Sequence, residues 1–233
     1  MKAYAIVIEG DTISEKGYAT LVESSYRVYN EFQLEQFNAV TPETVHKEMR
    51  DHNVIWNYPW SGETIDFGTG LLKKAYPTAN KNKRMACSMS HYLLWKKCKE
   101  TNENILILEH DAVFTKKIDF DINFTIYQVL GINNPIGATR RASVYRDAIN
   151  ANSSKYQIVP WIDNDQKIPQ GLAGNSAYII TPTAASELID AVHNPQIGLW
   201  PNDALMCRQL FYFLGVTKEH YTKVQGLPST TTL

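Results

Sequence analysis

The aliphatic run Ile105 to Leu108, closed by Glu109-His110-Asp111, constrains this chain more than any other segment. Four consecutive aliphatic residues leave no solvent face, which is how a strand covered on both sides reads in a parallel α/β sheet. Ligands in such sheets bind beyond the carboxyl ends of the strands. Glu109 and Asp111 stand at that end. If the chain stays extended they point to the same side, because side-chain direction alternates with a period of two. Two carboxylates then face one space.

The preceding segment carries Cys87, His91, Leu94, Trp95 and Cys98 at i, i+4, i+7, i+8 and i+11. That is one amphipathic stripe of a helix packed on a sheet. His91 lies on the apolar stripe, where a core histidine with its hydrogen bonds satisfied is the plainer reading.

The flanking rhythm is also α/β. A strand is expected over Tyr4 to Ile8, a helix from about Glu15 to Phe32, and a strand over Glu35 to Val40. Thr41-Pro42, a cap followed by proline, is expected to open a short helix through Met49. Residues 53–83 then break the rhythm with Trp56, Tyr58, Pro59, Trp60 and the basic cluster Lys73, Lys74, Lys81, Lys83 and Arg84. Structureless connections beyond about 12 to 15 residues are usually functional or disordered, so this stretch is expected to be an ordered flap at the site. A surface loop with its aromatics tucked onto the core is the alternative.

Farther on, Thr115 to Ile132 reads as a weak helix, Gln157 to Trp161 and Ser176 to Ile180 as strands, and Thr181-Pro182 as the start of another helix. Pro201-Asn202-Asp203 is expected to open a last helix with Leu205 to Leu214 as its body and Gly215 as its stop. Residues 226–233 read as an irregular tail, and 1–233 as one domain.

Lys plus Arg number 23 against 24 for Asp plus Glu, so no basic excess marks a nucleic-acid backbone or an anionic membrane as partner. No apolar stretch reaches the 18 residues of a membrane span, and the first residues are too short an apolar run for a signal peptide. A soluble, cytoplasmic protein is expected. Cys87, Cys98 and Cys207 are widely spaced in helical patterns and read as reduced thiols rather than a disulfide framework. Asn123 and Asn152 open glycan-acceptor sequences that have meaning only in a secretory compartment.

Four blocks in order carry a resemblance. They are Ala86-Cys-Ser-Met-Ser-His91, Leu108-Glu-His-Asp111, Gly174-Asn-Ser-Ala-Tyr-Ile-Ile-Thr181 and Trp200-Pro-Asn-Asp203. Together they resemble glycosyltransferase family 25, the lipopolysaccharide and collagen galactosyltransferase type. Ala86 stands where the pattern has Gly, and His110 where it has an acid.

The resemblance implies a GT-A-like, Rossmann-type α/β domain with a mixed, mainly parallel sheet flanked by helices. It also implies transfer of a hexose, galactose or glucose, from a UDP-sugar to a hydroxyl acceptor, with inversion and with Mn²⁺ or Mg²⁺. The acceptor, whether glycan, protein or another hydroxyl compound, is not specified. Asp111 would be the first metal ligand, with Glu109 sharing the metal or holding the donor ribose hydroxyls. His220 would close the metal shell. Asp203 would be the base for the acceptor hydroxyl; apart from the resemblance, Glu63 and Asp66 in the expected flap are the next candidates. Asn175 would bond donor sugar or acceptor, Lys83 and Arg84 would meet the diphosphate, and His91 would stand on the donor side.

Each role has a plainer counterpart. Asp203 in a first helical turn is favoured by the helix dipole alone, and basic loop residues are commonly just solvated. His110 in the trio leaves open a sugar-nucleotide-binding protein without transfer activity, and paired acids also serve metal-dependent phosphohydrolases. A nicotinamide oxidoreductase is disfavoured, because a single glycine follows the first strand where its fingerprint needs three.

Overall fold

A computed structural model describes residues 1–119, 126–139, 141–162 and 165–228. The elements are β1 (Lys2–Val7), α1 (Thr12–Arg27), β2 (Leu34–Asn38), α2 (Val45–Asp51), β3 (Glu63–Ile65), β4 (Leu72–Lys74), α3 (Lys81–Thr101), β5 (Ile105–Glu109), β6 (Ala112–Phe114) and β7 (Val129–Gly131). They continue with α4 (Ala142–Ala151), β8 (Tyr156–Ile158), β9 (Ala177–Ile180), α5 (Pro182–His193), α6 (Asn202–Leu205), β10 (Leu214–Thr217) and β11 (Thr222–Val224).

Seven strands form one sheet in the order β2-β1-β5-β9-β7-β10-β8. β2, β1 and β5 are mutually parallel, β9 runs antiparallel to both β5 and β7, β10 is parallel to β7, and β8 antiparallel to β10. Only β9 and β8 therefore run against the rest, and the fold is α/β with a mixed, mainly parallel sheet flanked by helices.

β5 is the centre of the molecule because all four aliphatic residues are fully buried. Ile105 and Ile107 join Tyr4, Ile6, Leu94, Trp95 and Leu188 on the face covered by α3 and α5. Leu106 and Leu108 join Ala3, Ala5, Val7 and Leu21 on the face covered by α1 and the β6–β11 ribbon. Burying such a side chain contributes about 1.5–3 kcal/mol, so this strand anchors both layers.

Several expected boundaries shift. α1 starts three residues early because Asp11 caps it, Oδ1 accepting from the Ser14 amide at 2.7 Å, and it ends at Arg27 rather than Phe32. Thr41 to Thr44 form a turn before α2. The cap at Thr181 holds as expected, its hydroxyl accepting from the Ala184 amide ahead of Pro182.

Two expectations fail outright. Among the described residues of 115–132 there is no helix. Val129 and Leu130 are instead buried on opposite faces of a strand, and residues 120–125 of that stretch lie outside the described residues. The helix after Pro201 stops at Leu205, and Leu214 to Thr217 form a strand held between β7 and β8. Non-local pairing there overrides local helix propensity.

Residues 53–83, finally, are not structureless. They hold the β3–β4 hairpin and the start of α3, and their aromatics are packed: Trp56 stacks on Trp60 at 4.8 Å, and Tyr58 meets Tyr76 and Trp200. Lys73 and Asp66 form a 2.6 Å ion pair that is about 4% exposed, and Lys73 also donates to the Asn57 carbonyl. The segment is ordered, and its aromatics are tucked onto the core.

Candidate active site

α3 brings its first three turns over the carboxyl end of β5. Asn80 caps it, its side chain accepting from the amides of Asn82 and Lys83. Ser90 ties the helix to the end of β2, its hydroxyl donating to the Ala86 carbonyl and accepting from the Val40 amide. From this helix Arg84, Cys87 and His91 reach toward the edge where Glu109 ends β5.

His91 is fully buried. Its Nε2 lies 3.3 Å from Glu109 Oε1 and its Nδ1 2.8 Å from the Tyr178 hydroxyl, which also accepts from Trp95 Nε1 at 2.9 Å. A consistent assignment runs one way: Trp95 donates to Tyr178, Tyr178 donates to Nδ1, and Nε2–H donates to the carboxylate. This places His91 behind Glu109, on the core side of the edge. With both ring nitrogens engaged and the ring out of solvent, His91 in this state orients Glu109.

The other carboxylate oxygen of Glu109 accepts from the Ser176 hydroxyl at 3.1 Å. Glu109 keeps 29% of its side chain exposed, yet its carboxyl group is desolvated. Burial opposes ionisation, but the hydrogen bond from His91, with help from His110 and Ser176, outweighs it and holds this carboxyl below its usual range.

Asp111 shows the opposite behaviour. β5 ends at Glu109, and His110 and Asp111 form a turn, so strand alternation does not extend to them. The turn still brings Asp111 beside Glu109: burial first, then the charge of Glu109, pushes the Asp111 carboxyl up to about 7. Its Oδ1 is buried and has no hydrogen-bond partner. His110 turns the other way, its ring and carbonyl packing against Gly17 of α1.

Asn175 sits at the same edge, immediately before Ser176, whose carbonyl accepts from the Glu109 amide. It is 6% exposed, and neither atom of its side-chain amide has a partner. A buried carboxylate oxygen and a buried amide left unpaired together each cost free energy until something binds them.

Asp203 closes the constellation from α6. Gly171 lets the chain pass that close, since a Cβ there would lie 2.5 Å from the Asp203 carbonyl and 2.6 Å from that of Met206. Burial raises the Asp203 carboxyl, while the charge of Arg84 and a hydrogen bond from Tyr76 restrain the rise. Arg84 lies over the Tyr76 ring at 5.0 Å and donates to Thr78 Oγ1. Sequence reasoning missed Tyr76 and Ser176; the only signal for Ser176 was its place beside Asn175, and Tyr76 had none.

The remaining expected residues are placed differently. Lys83 is half-buried in the first turn of α3, but the cation whose charge acts on Asp203 and Cys87 is Arg84. His220 does not join the acids. It precedes β11 at the end of the ribbon where Phe114 pairs with Thr222, the far end from Asp111, and burial, then the charges of Lys116 and Arg146, lower its pKa. Asp66 is committed to Lys73 and to Thr69, and Glu63 is exposed on β3. The open groove lined by His52, Tyr92, Lys96 and His193 belongs to the later turns of α3, past His91.

Paired acids at the carboxyl end of β5, the guanidinium of Arg84 and the separately held carboxylate of Asp203 thus stand at one edge of the sheet. The chain belongs to glycosyltransferase family 25 (LPS biosynthesis protein), whose family model matches residues 19–206, and it is a glycosyltransferase. No curated protein sequence matches it. Among solved structures it is similar to mouse xyloside xylosyltransferase 1 in its apo form, with 10% identity, a TM-score of 0.43, and coverage of 91% of this chain and 83% of that one. No helix among the described residues is long and apolar enough to cross a membrane.

Proposed function

We propose that the protein transfers a hexose, galactose or glucose, from a UDP-sugar to an acceptor hydroxyl with inversion, in a reaction that requires Mn²⁺ or Mg²⁺. The observation that carries the metal requirement is the buried, unpartnered Oδ1 of Asp111 beside the ionised Glu109. Two such carboxylates repel each other unless a cation lies between or beside them. Hard oxygen ligands fit Mn²⁺ or Mg²⁺, which take one or two carboxylates and leave the rest of their shell to water and phosphate.

Asp111 would hold the metal, with Glu109 as second ligand or as acceptor of donor ribose hydroxyls. When bound, the metal supplies Lewis-acid neutralisation of the departing diphosphate, a contribution of several kcal/mol. Arg84 adds fixed positive charge from the α3 side. Asn175 offers one acceptor and two donors, suited to a sugar or ribose hydroxyl pair. Asp203 takes the acceptor's proton: its carboxyl is desolvated and raised, which strengthens it as a base, while Arg84 and Tyr76 keep it ionisable. The UDP-sugar class and inversion rest on the family resemblance.

The test is a panel of UDP-hexoses offered with glycan and peptide hydroxyl acceptors, with UDP release followed with and without Mn²⁺. Metal-dependent, acceptor-dependent UDP release is expected for one hexose. Release that proceeds equally in EDTA, or equally without acceptor, refutes the reading, the latter in favour of hydrolysis.

A further inference from the structure

Cys87 and His91 are four residues apart on α3 and therefore project from one face, toward Glu109. Cys87 Sγ lies 4.0 Å from Glu109 Oε1, His91 Nε2 lies 3.3 Å from the same oxygen, and all three ligand atoms fall within 4.8 Å of one another. We infer that these three residues form a binding site for one thiophilic divalent cation of the Zn²⁺ class, and that its occupation withdraws Glu109 from the donor.

A tetrahedral Zn²⁺ with bonds of about 2.3 Å to sulfur and 2.0–2.2 Å to nitrogen and oxygen places its ligands roughly 3.3–3.6 Å apart. The His91–Glu109 pair already has that separation, and side-chain rotation of Cys87 covers the remainder. The outer shell is also in place. A metal-ligating histidine needs its second nitrogen held by a fixed group, and here Nδ1 meets Tyr178, itself held by Trp95. Three protein ligands leave a fourth position for water, reached from the side on which Glu109 keeps its 29% exposure.

Charge explains why the cation is needed to assemble the set. Burial, then the charge of Glu109, holds the Cys87 thiol well above its usual range, so the free protein carries S–H there. Binding breaks that S–H bond, forms the sulfur–metal bond and releases one proton to solvent, while the neutral imidazole of His91 moves its hydrogen from Nε2 to Nδ1, where the Tyr178 hydroxyl accepts it and Nε2 is free to ligate. One thiolate, one carboxylate and a divalent ion then sum to zero in a site poor in water. Thiolate and imidazole favour Zn²⁺ over Mg²⁺ and Mn²⁺, which prefer oxygen, so the hard ion stays with Asp111. Cation binding itself does not depend on the transferase reading; the loss of Glu109 to the donor does.

The experiment titrates Cd²⁺, a Zn²⁺ surrogate, into the full chain and follows thiolate-to-metal charge-transfer absorption. The expected result is one equivalent, with the band lost in Cys87→Ser and kept in Cys98→Ser and Cys207→Ser. No band, or one that survives Cys87→Ser, overturns the site. The unmodified protein loaded with one equivalent of Zn²⁺ gives an independent answer by X-ray absorption: one sulfur at about 2.3 Å among nitrogen and oxygen ligands is expected, and a shell without sulfur overturns the site even if the variant fails to fold. Loaded protein should bind UDP-galactose or UDP-glucose at least tenfold more weakly in Mn²⁺, and unchanged affinity overturns the sharing of Glu109. If the protein free of Zn²⁺ and Cd²⁺ binds neither donor in Mn²⁺, the transferase reading fails while the spectroscopic result stands.

Discussion

His91 Nε2 lies 3.3 Å from Glu109 Oε1, and the same ring is fixed from behind by the Tyr178 hydroxyl at 2.8 Å. A chain of buried hydrogen bonds thus runs from Trp95 to the acid that ends β5. Tyr178→Phe removes the hydroxyl and leaves Trp95 Nε1 and His91 Nδ1 without partners. Each such orphan costs about 1–3 kcal/mol, so unfolding free energy should fall by about 2–6 kcal/mol in urea titrations. A loss under about 1 kcal/mol would show that the chain of bonds contributes little.

Asp203 supplies the second prediction. General-base catalysis contributes about 10² to 10⁴-fold, so Asp203→Asn should lower kcat by that order with donor Kd little changed. Loss of a helix-dipole contact alone would cost only about 0.3–1 kcal/mol of stability and leave turnover nearly intact. Tyr76→Phe gives a finer readout. The Tyr76 hydrogen bond lowers the Asp203 carboxyl, so its removal raises it further. The base must be ionised to act, and the acid limb of the kcat/KM profile should therefore move to higher pH. An unmoved limb would detach Tyr76 from the base.

The buried pair of Lys73 and Asp66 fixes the hairpin beside the site. Removing one partner of such a pair typically costs 3–5 kcal/mol because the other charge is left buried alone. Lys73→Met should destabilise by about that amount, measured by chemical denaturation. With the hairpin so fixed, limited proteolysis around Trp56 to Lys74 should be slow even without ligand; rapid cleavage there that UDP and Mn²⁺ suppress would restore the flap.

Asp111 makes stability depend on pH in a defined direction. Its folded carboxyl is raised to about 7 from an ordinary value of 3.8. Between those values the folded state holds the extra proton, so this group's contribution to stability is full below the unfolded value and is lost as pH rises toward 7. A cation bound to the ionised form reverses the loss. The rise in Tm on adding Mn²⁺ should accordingly be larger at pH 8 than at pH 6, and a rise independent of pH would contradict Asp111 as the ligand.

Much of this was legible in the sequence where local pattern and burial agree. The β5 run, the α3 stripe and the cap at Thr181 are local signals, and each formed the expected element. β10 and the β6–β11 ribbon were not legible, because short strands such as Leu214–Thr217 acquire their identity from partners distant in sequence. The site divides the same way. Glu109, Asp111, Asn175 and Asp203 stood out as polar residues at element ends, and the fold brings them to one edge. Tyr76 and Ser176 act through side-chain contacts that only the tertiary structure creates, and His220 lay beyond a ribbon that no local signal announced.

The central claim is that Asp111 holds the metal on which donor binding depends, and calorimetric titration of UDP-galactose and UDP-glucose into Asp111→Asn tests it most directly. Asn keeps the size and removes the charge. The native protein should bind one donor in Mn²⁺ and lose that binding in EDTA. The variant should be folded, with an unchanged or higher melting temperature, and should show only the weak, metal-independent affinity. Retention of native, Mn²⁺-dependent donor affinity in Asp111→Asn would contradict the account.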